Sequence, residues 1–586
     1  MADNRHLDHA NQGGNASSNE HKRENDRRPA GGHRPAGAGS HEGRSFSRSD
    51  RKPGEYRNSA PRSTRPGEHR PARRTDAEGR TFEKAEQNSS RPVHDRKPYS
   101  RDPERKETRR PDERRRSFDG KRETSGGAGY KAFEHRRGAP RQVEGLPSRR
   151  SALNVIRAVT ENGAWASTAL DKELQSAGLN PKDRRLAARL AYDTLERLYY
   201  LDALLNQVMA KPDTDIKLRN ILRLGACQLL LEDHIPDNAA TDTAVELCRE
   251  IGLDGLAGVC NGILRNLIRR RNELEITEED PIRRMSIVCS APEFLVRYLA
   301  DDYGLEGAEQ ILRASGSESA LTVRPNRMQL NASQFEELLN KKVWDWEKGE
   351  LPDSWYVRNA ANIAQDTDFL SGHFSIQSEQ SQMACLAAAP KRGNLVLDAC
   401  AAPGGKSCYM AEIMDGTGRV QAWDVREHRT KLIEAQVKRL GLDNVRPMTR
   451  DATVLREDMV QSMDVVLLDA PCTGTGEMHD KPDSKYRMKE ESRDELVALQ
   501  KVMLDTVSSY VKEGGTLVYS TCSVLKDENE RQVAAFLERH HEFEIVPLPE
   551  SVPERIRSQY GTGVQLLPGV NASGGFYICR MRRKRI

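Results

Sequence analysis

Apolar residues recur at helical spacing from Ser151 onward. Leu153, Ile156 and Val159 stand three positions apart, and amphipathic runs continue over 183–209, 217–232, 240–251 and 255–273. That period lines one face of a helix with apolar side chains. Gly225, Gly252, Gly255 and the turn Pro236-Asp237-Asn238 punctuate the runs, and the pattern predicts an all-α bundle over 148–275. Residues 276–390 are mixed, helix-like at 292–303 and 333–341 around one strand candidate, Leu321–Arg324, which predicts a small α+β domain. Over 391–586 strand candidates Asn394–Asp398, Arg419–Asp424, Val445–Thr449, Asp464–Asp469 and Thr516–Ser520 alternate with helices such as Glu427–Leu440 and Glu495–Lys512. Regular alternation predicts an α/β domain with a Rossmann-like, doubly wound, mostly parallel sheet. Ligands of such sheets bind beyond the carboxyl ends of the strands.

Composition separates the first 150 residues from the rest. They hold 37 Lys/Arg against 23 Asp/Glu, which leaves 55 against 65 in residues 151–586, so a basic tail of +14 precedes an acidic body of −10. The tail is rich in Arg, Gly, Ser, Pro and His and almost lacks Leu, Ile and Val, so 1–147 is expected to be disordered. Its near-repeats, Pro53-Gly-Glu-Tyr-Arg57 with Pro66-Gly-Glu-His-Arg70 and His33-Arg-Pro-Ala36 with His69-Arg-Pro-Ala72, suit either loose contact with RNA or a solubilising extension. Similarly, Ile268-Arg-Arg-Arg-Asn272 either complements a helix dipole or touches RNA. All ten cysteines lie at or beyond Cys227 and none forms a Cys-x-x-Cys pair. A zinc ribbon and a disulfide framework are therefore not expected. With no apolar run of membrane length and a polar Met1–Asn15 start, the expectation is a soluble, reduced, cytoplasmic protein.

The first strand candidate of the α/β region runs into Asp398-Ala-Cys-Ala-Ala-Pro-Gly-Gly-Lys-Ser407. Its Gly404 and Gly405 permit a tight turn and close approach to a ligand. Gly405-Lys406-Ser407 matches the end of a phosphate-binding P-loop, but the loop's first glycine would fall at Cys400, and the dinucleotide fingerprint is absent. Asp398, Asp424, Asp451 and Asp469 close or follow four successive strand candidates. Acids there suit ribose hydroxyls and a cationic ligand better than a polyphosphate, which they would repel. Cys472, in Asp469-Ala-Pro-Cys-Thr-Gly-Thr-Gly476, and Cys522, in Tyr519-Ser-Thr-Cys-Ser523, follow the fourth and fifth strands. If those strands are neighbours, about 4.8 Å apart, both thiols project at one rim.

Leu397-Asp-Ala-Cys-Ala-Ala-Pro-Gly-Gly-Lys406, Leu467-Leu-Asp-Ala-Pro-Cys472 and Gly515-Thr-Leu-Val-Tyr-Ser-Thr-Cys-Ser-Val524 resemble the signatures of the RNA cytosine-5 methyltransferase family. The helical segment resembles the NusB-type RNA-binding domain of its small-subunit ribosomal RNA branch. The resemblance implies a class I methyltransferase domain that uses S-adenosyl-L-methionine. It implies cofactor contacts from Cys400, Ala401, Ala402, Pro403, Gly404, Gly405, Lys406, Asp424, Asp451 and Asp469, and catalysis by Cys522, Cys472 and Asp469. Cys522 would attack C6 of cytosine, making C5 nucleophilic toward the methyl group. Asp469 would protonate or hydrogen-bond N3, and Cys472 would promote release. The expected partner is small-subunit (16S) ribosomal RNA, with no membrane, no metal and a monomeric chain. Transfer RNA as substrate, or a NusB-like assembly factor with a degenerate enzyme domain, are the alternatives. Thr-Gly-Thr-Gly after Cys472, where the family pattern has Ser-Ala-Thr-Gly, keeps the turn; the basic tail lies outside the pattern.

Overall fold

The computed structural model describes residues 143–586 except 315–319, 361–362, 479 and 586. The expectation of disorder in the tail thus falls, up to residue 142, outside the described residues. Seven helices form the N-terminal bundle: α1 (Leu146–Thr160), α2 (Ala166–Ser176), α3 (Pro181–Glu196), α4 (Leu198–Val208), α5 (Ile216–Leu230), α6 (Asp237–Glu250) and α7 (Ala257–Arg270). Leu153, Ile156, Leu190, Leu205, Ile221, Leu222 and Leu264 meet in its core. Asn180 caps α3 by accepting from Asp183 N, ahead of Pro181 in the first turn, where a missing N–H does no harm. The run 183–209 is two helices, not one, because Arg197 leaves helical geometry (φ −110, ψ 26). The sequence reading also missed α2, which buries only Ala166 and Ala169 and so has little apolar period to detect.

Next come α8 (Pro281–Val288) and α9 (Glu293–Ala314), the latter bent where Gly304 adopts φ 74. Their buried face, including Leu295, Leu299 and Ile311, packs on Met478, Val524 and Leu525, just beyond the two rim cysteines. Strands β1 (Leu321–Pro325), β2 (Asp345–Lys348), β3 (Trp355–Arg358) and β4 (Phe374–Ile376) form an antiparallel sheet ordered β2-β3-β1-β4. Helix α10 (Ala332–Asn340), opened by an Asn331–Gln334 capping box, contributes Phe335 and Leu339 to its core. Only β1 was foreseen, since the other strands span three or four residues each.

After the single turn α11 (Thr367–Leu370), α12 (Glu379–Ala388) buries Met383, Ala384 and Leu386 in the core of the large sheet. That sheet contains β5 (Leu395–Asp398), β6 (Arg419–Asp424), β7 (Val445–Thr449), β8 (Met463–Asp469), β9 (Val511–Thr521), β10 (Phe543–Ile545), β11 (Val564–Leu566) and β12 (Phe576–Arg583). Its order is β10-β12-β9-β8-β5-β6-β7, with β11 paired to β12. Five strands are parallel, as expected. The three C-terminal strands, not foreseen, form an antiparallel margin on β9. Helices α13 (Gly405–Ile413), α14 (Glu427–Leu440), α15 (Ser484–Arg487), α16 (Glu490–Ser508) and α17 (Glu530–Arg539) follow their strands. Val396, Val420, Val465 and Val518 fill one side of the sheet while Leu397, Val466, Leu517 and Tyr519 fill the other. Burial on both faces explains the continuous apolar runs. The chain leaves β5 for β6 on one side and reaches β8 on the other, which opens a crevice at the carboxyl end of β5. Among the described residues no helix is long and apolar enough to cross a membrane.

Candidate functional site

The strand order places four carboxylates along one rim: Asp451 just past β7, then Asp424, Asp398 and Asp469 at the ends of β6, β5 and β8. The loop from β5 to α13 turns at Gly404, whose φ of 109 belongs to glycine. A Cβ there would stand 3.2 Å from the Ile433 backbone, so the loop also needs the missing side chain to pack on α14. Asp398 is fully buried below this loop, accepting from Ser407 Oγ at 2.6 Å. Burial pushes its carboxyl up to about 7, because ionising it without water is unfavourable. Burial likewise raises the Cys400 thiol well above its ordinary range.

A cavity of about 540 Å³ opens beside the loop. Of the residues singled out in the sequence, Cys400, Ala401, Ala402, Pro403, Gly405, Lys406, Asp469 and Cys522 line it; Gly404, Asp424, Asp451 and Cys472 do not. Asp424 is 4% exposed, accepts from Arg426 N at 3.0 Å and lies 3.4 Å from Arg429 Nε. Asp451 is exposed and folds onto its own turn, accepting from Thr453 N at 2.9 Å and Oγ1 at 2.7 Å. The cavity wall also includes Gln377, Ser378, Glu477, Asp480 and the stretch Ser573–Phe576. Sequence reasoning passed over these; the Gly574-Gly575 pair entering the apolar run Phe576–Cys579 was a signal left unread.

Lys406 Nζ lies 2.8 Å from Asp469 Oδ2, and Ser520 Oγ donates to Asp469 Oδ1 at 2.7 Å. Burial opposes the Lys406 charge, but Asp469 outweighs it and raises the ammonium above its usual range. Because β8 and β9 are paired with Asp469 opposite Ser520, the loops beyond them bring Cys472 Sγ within 3.2 Å of Cys522 Sγ. The contact with Cys522, then burial, holds the Cys472 thiol well above its ordinary range.

Backbone contacts lock the two loops together. Gly476 N donates to Cys522 O at 2.9 Å and Gly575 N to Gly476 O at 2.9 Å. Buried Glu528 accepts from Thr473 N and Gln500 Nε2 at 2.9 Å and from Thr473 Oγ1 at 2.6 Å. The chain then reaches α15, which grips the bundle. Arg487 Nη1 donates to Gly163 O at 2.9 Å, its guanidinium lies 4.3 Å from the centre of the Trp165 ring, and Tyr486 OH donates to Glu196 O at 2.9 Å. Lys485 Nζ donates to Cys289 O at 3.1 Å, and burial lowers its ammonium to about 8. The rim carries four acids, and the lysine of the cavity wall is already engaged by one of them. Of these acids only Asp469 lines the cavity, where Glu477 and Asp480 join it, so with Lys406 engaged the wall suits an adenosine-type ligand with a positive charge better than a polyphosphate.

Comparison with known proteins agrees with this arrangement. Residues 385–582 match the family described as 16S rRNA methyltransferase RsmB/F, and residues 146–269 match the NusB family. The chain is 36% identical over 438 residues to the probable ribosomal RNA small subunit methyltransferase B of Bacillus subtilis, covering 74% of this chain and 98% of the relative. The corresponding Synechocystis protein is 29% identical over 445 residues, covering 75% of this chain and 100% of the relative. The crystal structure of PH0851, 24% identical, shares the fold with a TM-score of 0.63 over 75% of this chain and 99% of that one. Identity at this level over almost the full length of its relatives means that the chain belongs to the ribosomal RNA small subunit methyltransferase B family, with a methyltransferase domain preceded by a NusB domain.

Proposed function

We propose that this protein transfers a methyl group from S-adenosylmethionine to C5 of a cytidine in small-subunit (16S) ribosomal RNA, through a covalent bond from Cys522 Sγ to C6. The carrying observation is the thiol pair, 3.2 Å apart, in which Cys522 lines the cavity and Cys472 does not. This favours Cys522 as the attacking sulfur, a choice the sequence motifs carried only by resemblance. When bound, the cofactor supplies an electrophilic methyl on a sulfonium. Residues Cys400–Lys406 would hold it, with Asp424 receiving the ribose hydroxyls and Asp451 beside the adenine.

Addition of the Cys522 thiolate to C6 pushes electrons toward C5 and needs a proton at N3. Asp469 is assigned to the N3 contact, where it has to carry the proton; Lys406 Nζ lies 2.8 Å from its Oδ2 and orients it. Once C5 carries the methyl group, its proton must leave as the Cys522–C6 bond breaks. Cys472 is the group assigned to that elimination. The matching NusB domain and the relatives' names favour ribosomal over transfer RNA. The paired thiols argue against a degenerate enzyme domain.

Bisulfite sequencing of small-subunit ribosomal RNA from cells with and without this gene tests the product; no protected cytidine depending on the gene refutes the reading. A denaturing gel with labelled RNA tests the roles. Cys522→Ala should give neither product nor adduct, Cys472→Ala a trapped complex, and the double variant none. A trapped band from Cys522→Ala alone would reverse the assignment.

A further inference from the structure

Helices α13 and α14 pack on one face of β6 and β7, where Val420, Ala422, Ile433 and Val445 share a core. The other face is left to the connection between β7 and β8. A doubly wound sheet ordinarily carries a helix there. This connection has only the single turn Glu457–Met459, and a groove of about 460 Å³ stays open along the edge of the sheet. Alternation along the strands turns Arg419 and Trp423 of β6 and Arg446 of β7 into it, and the connection adds Arg450, Arg456 and Asp458. Four arginines thus face one carboxylate, on a body that sums to −10 over residues 151–586. Arg456 takes that carboxylate, with Nε and Nη2 each 2.9 Å from Asp458. Among the described residues, Arg419, Arg446 and Arg450 have no carboxylate within 4 Å. Arg446 Nη1 donates instead to the carbonyls of Asp443, at 2.6 Å, and Val445, at 3.1 Å.

We propose that this groove holds the phosphodiester backbone of ribosomal RNA away from the target cytidine. This rests on the reading that the substrate is ribosomal RNA. A guanidinium stays charged at any working pH, and its planar fork of donors matches a phosphate. Arg446 near the start of β7 and Arg450 just past its end stand about 13 Å apart along the strand, a row that suits the repeated charges of a backbone. Arg450 directly precedes Asp451 on the rim, so the row leads from the rim toward the opposite edge of the sheet, and RNA entering the crevice can continue along it. Trp423, the one aromatic of the groove, is 1% exposed, so no ring is free to stack on a base. The contact therefore reads charge and not sequence. The basic tail of this chain has the wrong sign to fill the groove.

The test is binding of a transcribed small-subunit ribosomal RNA to the full chain as salt is varied. Arg419→Gln/Arg446→Gln removes two charges and keeps part of each stem; both side chains are exposed, so neither change opens the core. It should weaken affinity on the order of tenfold and lower the slope of log affinity against log salt by about 1.5, at roughly 0.7–0.9 per phosphate contact. Arg419→Lys/Arg446→Lys keeps the charges and should keep the slope. A wild-type slope in the Gln variant, or the same loss of slope in the Lys variant, overturns the groove. So does a Gln variant that binds the naked transcript normally but methylates assembling subunits more slowly, which would assign the groove to an acidic protein. Wild-type protein that does not bind the transcript overturns the reading of ribosomal RNA as substrate, and the groove with it.

Discussion

Replacing Asp398 with Asn should change how stability depends on pH. The carboxyl is fully buried under the β5–α13 loop, and burial raises it to about 7. Its unfolded value is about 3.9. Between the two values the folded chain binds a proton that the unfolded chain does not, so stability falls as pH rises through this window. The full difference is about three units, or about 4 kcal/mol of strain carried by the ionised form above neutral pH. From about pH 5 to about pH 8, roughly two of those units are traversed, and the wild type should lose on the order of 2–3 kcal/mol that Asp398→Asn does not. The Asn side chain can still accept from Ser407 Oγ, as Asp398 does at 2.6 Å. Its amide adds a buried donor where Asp398 Oδ1 has no partner, a penalty of about 1–3 kcal/mol that does not vary with pH. The informative quantity is therefore the difference between variant and wild type at the two pH values, from urea unfolding followed by circular dichroism. If the stability gap between the two proteins is the same at both, Asp398 does not titrate in that window and the reasoning fails.

Asp424→Ala should weaken S-adenosylmethionine binding by roughly 1–3 kcal/mol, measured by calorimetry, through lost hydrogen bonds to the ribose; tight ATP binding with no binding of S-adenosylmethionine would restore the P-loop reading. Gly476→Ala would put a Cβ 2.1 Å from Gly575 O and 2.8 Å from Cys522 O; the backbone beside Cys522, the proposed nucleophile, must shift, so methyl transfer should fall on the order of a hundredfold, and unchanged turnover would show that this contact does not position Cys522. Removing residues 1–142 should leave methyl transfer intact and flatten the slope of log RNA affinity against log salt, since fewer counterions are released; equal slopes for both proteins would show that the basic tail is no RNA arm.

Local sequence carried the strand–helix alternation, the sites of the rim acids and the motifs around the two cysteines. Parallel strands buried on both faces write their apolar runs directly into the chain, and each motif follows its strand within a few residues. Tertiary structure decided what those residues meet. Pairing of β8 with β9 brought together thiols fifty positions apart, and only their positions relative to the cavity separate Cys522 from Cys472. Asp424 and Asp451 read alike in sequence, yet one is buried beside Arg429 and the other folds onto Thr453. The antiparallel margin β10–β12 was not read because two of its strands are three residues long, too short for a period to register. The groove beside β7 gave no signal either. Arg419, Arg446 and Arg450 are scattered through an acidic body, and nothing local sets them apart from solvated surface charges. Pairing of β6 with β7 brings them to one groove, so only the packed fold could show three guanidiniums gathered without a carboxylate.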